Sequence, residues 1–319
     1  MSIKGLASAI AVFSGAVMFA APMFPQQDKQ HGQGHAVVTI LPSHSSEQVA
    51  NVSAQDVKVK VNGKAFSVTG FTPLRGPDSR IELVVLIDGS ARASLGQQFN
   101  EITDFLKEMP ANAKVAFAYM ENGHAAMAGP LSSDAAQVVK GLHMSAGFPG
   151  SNASPYFCLS DLARRWPSDD PKARREVVMI TDGVDNYQRR FDPDDPYVQT
   201  AINDSVRAGL VVFSMYWQGR GQANSTEVET SAGQNLLLIV SQATGGKSYW
   251  AGTGNPVSFE PYFADLRRRL NHQYELSFDI PPGSKPEVKD LKVELRVPAA
   301  KVDAPQKVLV GPGGRSLVE

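Results

Sequence analysis

The chain has 319 residues, 42% of them hydrophobic and 20% charged, with a net charge of −1. This is globular composition, long enough for one large domain and a smaller one, and the charge balance gives no electrostatic footprint for nucleic acid or an anionic membrane. The single cysteine, Cys158, excludes an internal disulfide framework and a multi-cysteine zinc site; its neighbours Phe157 and Leu159 mark it as a small buried apolar residue.

The opening MSIKGLASAIAVFSGAVMFAAP has an early lysine, an apolar run and small residues near Ala20 and Ala21. It reads as a secretory signal over 1–21, so the protein is expected to be exported, periplasmic or secreted. The run is short for a membrane span, and membrane contact is expected only through an uncleaved signal. Residues 22–35 are polar and Gly/Gln/His-rich and read as a flexible linker, with His31 and His35 solvated on it.

An N-terminal β segment is expected over 36–78, with strands at 36–40, 57–61 and 66–71 and a hairpin turn at Asn62, Gly63 and Lys64. From residue 81 strand and helix patterns alternate. IELVVLI (81–87) is a near-continuous apolar run, as in a strand buried on both faces. Leu95, Phe99, Ile102, Leu106 and Met109 follow at helical spacing, and Pro110 stops them. KVAFAYM (114–120), EVVMIT (176–181) and LVVFSMYW (210–217) read as further strands. Residues 133–142, 156–166, 197–209, 234–246 and the stretch opening at Ser258 read as helices. This order predicts an α/β domain over 79–271 with a doubly wound, mostly parallel, Rossmann-like sheet. Over 272–319, two more alternating stretches (272–280 and 289–297) are expected to pair with the N-terminal strands in a small β unit. The Pro/Gly-rich residues after Pro298 read as an extended strap.

Ligands of such sheets bind beyond the C-terminal strand ends, and two strands here end on aspartate, Asp88 and Asp182. Small residues follow each, Gly89 and Ser90 in one case and Gly183 in the other. Two carboxylates with hydroxyls nearby suit a hard divalent cation, typically Mg2+. The segments LVVLIDGS, VVMITDGVDN, LIVSQATGGKSYW and LRRRLNHQYELSF, preceded by VSAQDVKVKVNGKAFSVTGFTP, together resemble a von Willebrand factor type A domain. More narrowly, they resemble the exported bacterial subfamily of such domains expanded in acidobacteria. The resemblance covers nearly all of 36–297.

It implies a metal-ion-dependent adhesion site in which Asp88 and Ser90 match the first two ligands and Asp182 the later aspartate. Arg92 stands where a second serine belongs, and Asn152 or Ser154 is nearest to the implied threonine. The site therefore reads as degenerate, with Mg2+ bound weakly or not at all. Arg92 has N–H donors, a fixed charge and no lone pair. It is expected either to point away or to fold over the site and pair with Asp88 or Asp182 in place of the cation. Asp185, Asp192, Asp194 and Asp195 fit no calcium-loop spacing and read as turn formers. Phe148, Tyr187, Arg189, Arg190 and Phe191 sit on the loops around the site and have the make-up of a protein-binding surface.

These features point to a non-catalytic adhesion or recognition module for an unknown protein partner, with no small-molecule substrate. One alternative is an envelope-assembly scaffold with a dead site. Another is a hydrolase, which would need His143 to pair with Cys158 or Ser154; no G-x-S-x-G elbow is present.

Overall fold

The computed structural model describes residues 32–43, 51–76, 79–188, 192–220, 227–250, 252, 254–281, 283–312 and 314–318. The expected signal segment, most of the expected linker including His31, and the loop residues Arg189, Arg190 and Phe191 lie outside the described residues. No helix among the described residues is long and apolar enough to cross a membrane.

The described chain opens with β1 (Gly32–Pro42), β2 (Val57–Val61), β3 (Lys64–Phe66) and β4 (Val68–Pro73). The α/β body follows as β5 (Ile81–Asp88), α1 (Phe99–Lys107), β6 (Ala113–Glu121), β7 (His124–Met127), α2 (Ala135–Val139) and α3 (Pro155–Arg164). It continues with β8 (Arg174–Thr181), α4 (Pro196–Ala208), β9 (Leu210–Tyr216), α5 (Glu227–Thr244), β10 (Ser248–Tyr249) and α6 (Glu260–Leu270). The chain then closes with β11 (Gln273–Ile280), β12 (Glu287–Leu295), β13 (Ala300–Asp303) and β14 (Lys307–Val310).

The body sheet has the order β10-β9-β8-β5-β6-β7, parallel throughout except for the edge strand β7. Its centre explains the apolar runs. Leu83, Val85 and Ile87 of β5 pack with Phe105 of α1 and Phe263 of α6, while Val84 and Leu86 pack with Leu159 of α3 and Leu237 of α5. A strand covered by helices on both faces buries every side chain and has no alternation to show. From β5 the chain moves to β6 on one side and later returns to β8 on the other. The topological switch point therefore lies between β5 and β8, where ligands of doubly wound sheets bind.

The chain ends do meet. β11 lies between β1 and β4, and β12 pairs with β2. They form two four-stranded sheets, β13-β1-β11-β4 and β14-β12-β2-β3, packed face to face through Val38, Leu276 and Phe278 from one and Val59, Leu291 and Val308 from the other.

Two sequence expectations need correction here. The residues after Pro298 are not simply a strap, because β13 pairs with β1 and β14 pairs with β12, and alternate residues Val308 and Val310 enter the shared core. The flexible linker does not reach residue 35, because β1 starts at Gly32. Glycine at 34 made this stretch look like a linker, yet it has a packing reason: a Cβ there would lie 2.4 Å from the Phe278 ring. His35 is likewise not a solvated tail residue, since its Nδ1 lies 3.1 Å from both Glu275 Oε1 and Ser277 Oγ.

Candidate functional site

Asp88 ends β5, and Asp182 follows the last residue of β8. The parallel pairing of these two strands brings both carboxylates to the switch point, and both are buried. Each Asp88 oxygen accepts two hydrogen bonds. Oδ1 takes the Ser90 backbone N–H (2.8 Å) and hydroxyl (2.7 Å). Oδ2 takes the Asn152 side-chain amide (2.9 Å) and the Thr181 hydroxyl (2.6 Å). Asp182 accepts the Val184 N–H at Oδ1 (2.8 Å) and the Gly219 N–H at Oδ2 (3.1 Å).

Burial pushes the Asp88 carboxyl up, against the hydrogen bonds from Thr181, Ser90 and Asn152. Burial and then the neighbouring Asp88 charge push Asp182 up well beyond the usual carboxylate range. Two like charges in a dry site cannot both ionise cheaply, so the pair titrates as a unit and retains a proton more tightly than free aspartates would.

All side-chain atoms that could ligate here are oxygens: the two carboxylates, the Ser90 and Thr181 hydroxyls and, after rotation of its amide, Asn152. That set fits a hard cation such as Mg2+. Ser90 and Thr181 give their protons to Asp88 and keep lone pairs. Asn152 currently turns its Oδ1 away, to the Asn186 amide at 3.1 Å.

Of the two candidates for the third-loop ligand, only Asn152 reaches Asp88. Ser154 instead caps α3, its oxygen accepting the Tyr156 N–H at 3.3 Å. This is the ordinary role of serine before a proline at the first helical position. Arg92 makes no ion pair with Asp88 or Asp182 among the described residues; its Nε donates to the Gly219 carbonyl at 3.3 Å. The expected replacement of a cation by the guanidinium is thus not formed. Thr181 and Arg220 were missed in the sequence. Thr181 stood in plain view beside Asp182. Arg220 follows β9, a third strand running to the same sheet edge, which is the signal that pointed to its loop.

The pairs a hydrolase would need are not formed. The His143 ring nitrogen Nδ1 lies 3.1 Å from the Gly141 carbonyl and the ring packs on Tyr119. Cys158 is buried, its thiol lies 3.5 Å from the Asn152 carbonyl, and burial pushes its pKa far up. Phe148 and Tyr187 are exposed, and Tyr187 rests on Phe157 and Tyr197. Asp185 and Asp195 spend their carboxylates on local backbone, Asp185 on the N–H groups of Tyr187 and Gln188 and Asp195 on that of Tyr197.

The site loop also presses against α5. Gly183 has φ +73°, and a Cβ on Gly233 would lie 2.4 Å from the Asp182 carbonyl oxygen. On helix propensity alone, Gly233→Ala should stabilise by about 1 kcal/mol. Here the methyl group meets backbone, and overpacking of that kind costs about 1–3 kcal/mol. The variant is expected to be less stable than the wild type by roughly 1 kcal/mol or more in urea unfolding; a gain in stability would show the contact to be slack.

A mostly parallel sheet with helices on both faces, and aspartates closing the two strands at its switch point, is a von Willebrand factor A-like fold, as the sequence resemblance implied. No protein-family model and no curated protein matches the chain. Among solved structures it is similar to an aerotolerance-related membrane protein from Bacteroides fragilis NCTC 9343, with 15% identity, 60% of this chain and 98% of that one covered, and a TM-score of 0.42. It is also similar to proximal thread matrix protein 1 from the mussel byssus, described with a zinc-occupied MIDAS motif, at 12% identity, 64% and 48% coverage and a TM-score of 0.39. The SpRpn10 VWA domain is similar at 8% identity, 59% and 95% coverage and a TM-score of 0.38. At these identities the likeness concerns the fold alone.

Proposed function

We propose that this chain is an exported, non-catalytic recognition module that binds a partner protein through the C-terminal face of its α/β sheet, with the acid pair as a degenerate cation site at the centre. The observation that carries this reading is the setting of two exposed aromatic side chains. Phe148 (72% exposed) and Tyr187 (61% exposed) lie on the loops that supply Asn152, which bonds Asp88, and Asn186, which bonds Asn152. Aromatic residues bring large contact area at low entropic cost and are enriched among the residues that dominate binding. Tyr187 is already held by Phe157 and Tyr197, with centroids at 5.3 and 6.0 Å, so little order is lost on binding.

Arg189, Arg190 and Phe191 follow Tyr187 closely in sequence and share the arginine and aromatic make-up of binding surfaces. Mg2+ is held weakly or not at all on this reading, because every carboxylate oxygen already accepts an N–H or O–H. Neither nucleic acid nor a small-molecule substrate is involved, and membrane contact arises only through an uncleaved leader. The domain division follows the sequence: leader 1–21, linker after it, β segment to 78, body over 79–271 and C-terminal strands over 272–319.

Benzoylphenylalanine placed at position 148 and, separately, at 187 is expected to photo-crosslink one and the same protein in the native cell envelope. The same probe at Lys292, exposed on β12, should not. An envelope scaffold that uses only the strand sandwich gives the reverse pattern, and that outcome would replace this reading.

A further inference from the structure

The segment that leaves β9 does an unexpected thing. Instead of turning down from the sheet edge, Trp217, Gln218, Gly219 and Arg220 cross to the loop after β5 and pair with it antiparallel. The Arg92 N–H donates to the Gln218 carbonyl (3.0 Å) and the Arg220 N–H to the Ser90 carbonyl (2.6 Å), on either side of an Ala91–Gly219 bridge. Gly219 thereby lies directly on the acid pair. Its N–H bonds Asp182 Oδ2 at 3.1 Å, and a Cβ on it would sit 2.5 Å from that oxygen and 3.4 Å from Ser90 Oγ. Two of the best cation-ligating atoms are thus covered by one glycine.

Two arginines fasten this crossing. Arg92 Nε holds the Gly219 carbonyl at 3.3 Å. Arg220 spends all three of its nitrogens on carbonyls of two other loops: Nε on Ala91 (3.0 Å), Nη2 on Ser145 (2.6 Å) and Nη1 on Gly147. The planar guanidinium suits such a fork, and charged donors make the stronger bonds. The near end of the segment is fixed differently. Trp217 is buried with its ring edge-on to Phe259, and its N–H bonds the Thr181 carbonyl at 3.0 Å. The crossing is therefore anchored at Trp217 and clasped at Arg220.

We infer that residues 218–220 form a latch closed over the Asp88–Asp182 pair, with Arg220 as the positioning residue that clasps it, so that a cation reaches the pair only when the latch lifts. This rests on the reading of the acid pair as the centre of the binding face. It also gives Arg92 a role: the residue in the place of a ligand holds down the cover of the site.

Two variants open the latch by different means. Arg220→Ala removes the clasp, and Gly219→Ala drives a methyl group against a carboxylate whose other oxygen is pinned by Val184. In both, amide hydrogen exchange at Gly219 and Arg220 is expected to accelerate at least about tenfold while Val85 of β5 and Met179 of β8 stay protected. Mn2+, measured by its electron-spin resonance, should bind both variants at least about tenfold more tightly than it binds the wild type. If Arg220→Ala does not fold, Gly219→Ala alone decides. Equal Mn2+ binding by wild type and variants, whether strong or absent, overturns the latch; so does unchanged exchange at Gly219 and Arg220. The crosslinks at 148 and 187 need no cation, so they would survive that failure and keep the recognition reading separate from it.

Discussion

A chain ending at Asn271 is expected to be recovered as aggregate, although it retains the whole α/β body. The reason lies in the topology. β11 is an interior strand, hydrogen-bonded to β1 on one side and β4 on the other. Its removal leaves both with open edges, and the loss of β12 does the same to β2. Unpaired strand edges recruit other chains. The apolar loss is as severe. Leu276, Phe278, Leu291, Val308 and Val310 all leave the shared core, and each buried side chain of this size contributes about 1.5–3 kcal/mol. Their sum is comparable with the roughly 5–15 kcal/mol of a whole domain. The body suffers too, since the opposite face of β1 and β11 covers it: Val37 packs on the body core, and Gln273 receives a bond from Arg174 of β8. Expression of residues 32–271, followed by sedimentation and urea unfolding, tests this. A soluble fragment with one cooperative transition at the wild-type midpoint would mean that the terminal strands are an appendage.

The central strands were legible in the sequence because their burial is absolute. A run such as IELVVLI is apolar apart from Glu82, and a strand between two helical layers satisfies it. Asp88 and Asp182 were legible for the same reason, as charged residues closing apolar runs. What escaped notice was short or non-local. β7, β13 and β14 have four residues each, too few for a period to emerge, and their conformation is set by the neighbour they pair with. The strand β1 was hidden in part by its glycines, of which Gly34 answers to the Phe278 ring rather than to chain flexibility.

The site divides in the same way. Asn152 and Ser154 are two residues apart and chemically similar as hydrogen-bonding groups, and only the helix start at Pro155 separates their roles. Thr181 acts on Asp88 because the β5–β8 register sets Ile87 beside Ile180, which puts the next residues side by side. The latch joins residues 90–92 to 218–220 through backbone bonds, and backbone pairing between distant loops leaves no mark in side-chain pattern.

Replacing Glu176 by glutamine is expected to change the pH dependence of folding strongly. Glu176 lies on β8, fully buried, and neither carboxylate oxygen has a partner within hydrogen-bond distance among the described residues. Arg174, two residues earlier, directs Nη1 to the Leu270 carbonyl and to Gln273. Burial raises the Glu176 carboxyl to about 7, with the Arg174 charge pulling the other way. The folded state therefore holds a proton that the unfolded chain, titrating near 4.5, has already released. Where the folded state binds more protons, stability falls as pH rises. The loss begins near the unfolded value, runs at about 1.4 kcal/mol per pH unit, and ends above the folded value, about 3 kcal/mol in all. Glutamine carries no such proton, so Glu176→Gln should gain about 3 kcal/mol on the wild type between pH 5 and pH 8. Lowered carboxylates such as Asp265 work in the opposite direction, but they are common to both proteins and cancel in the difference. Urea unfolding at pH 5, 6.5 and 8 reads that difference directly. Parallel stability curves for the two proteins would mean that the Glu176 carboxylate is ionised throughout, balanced by the buried Arg174 two residues before it on β8.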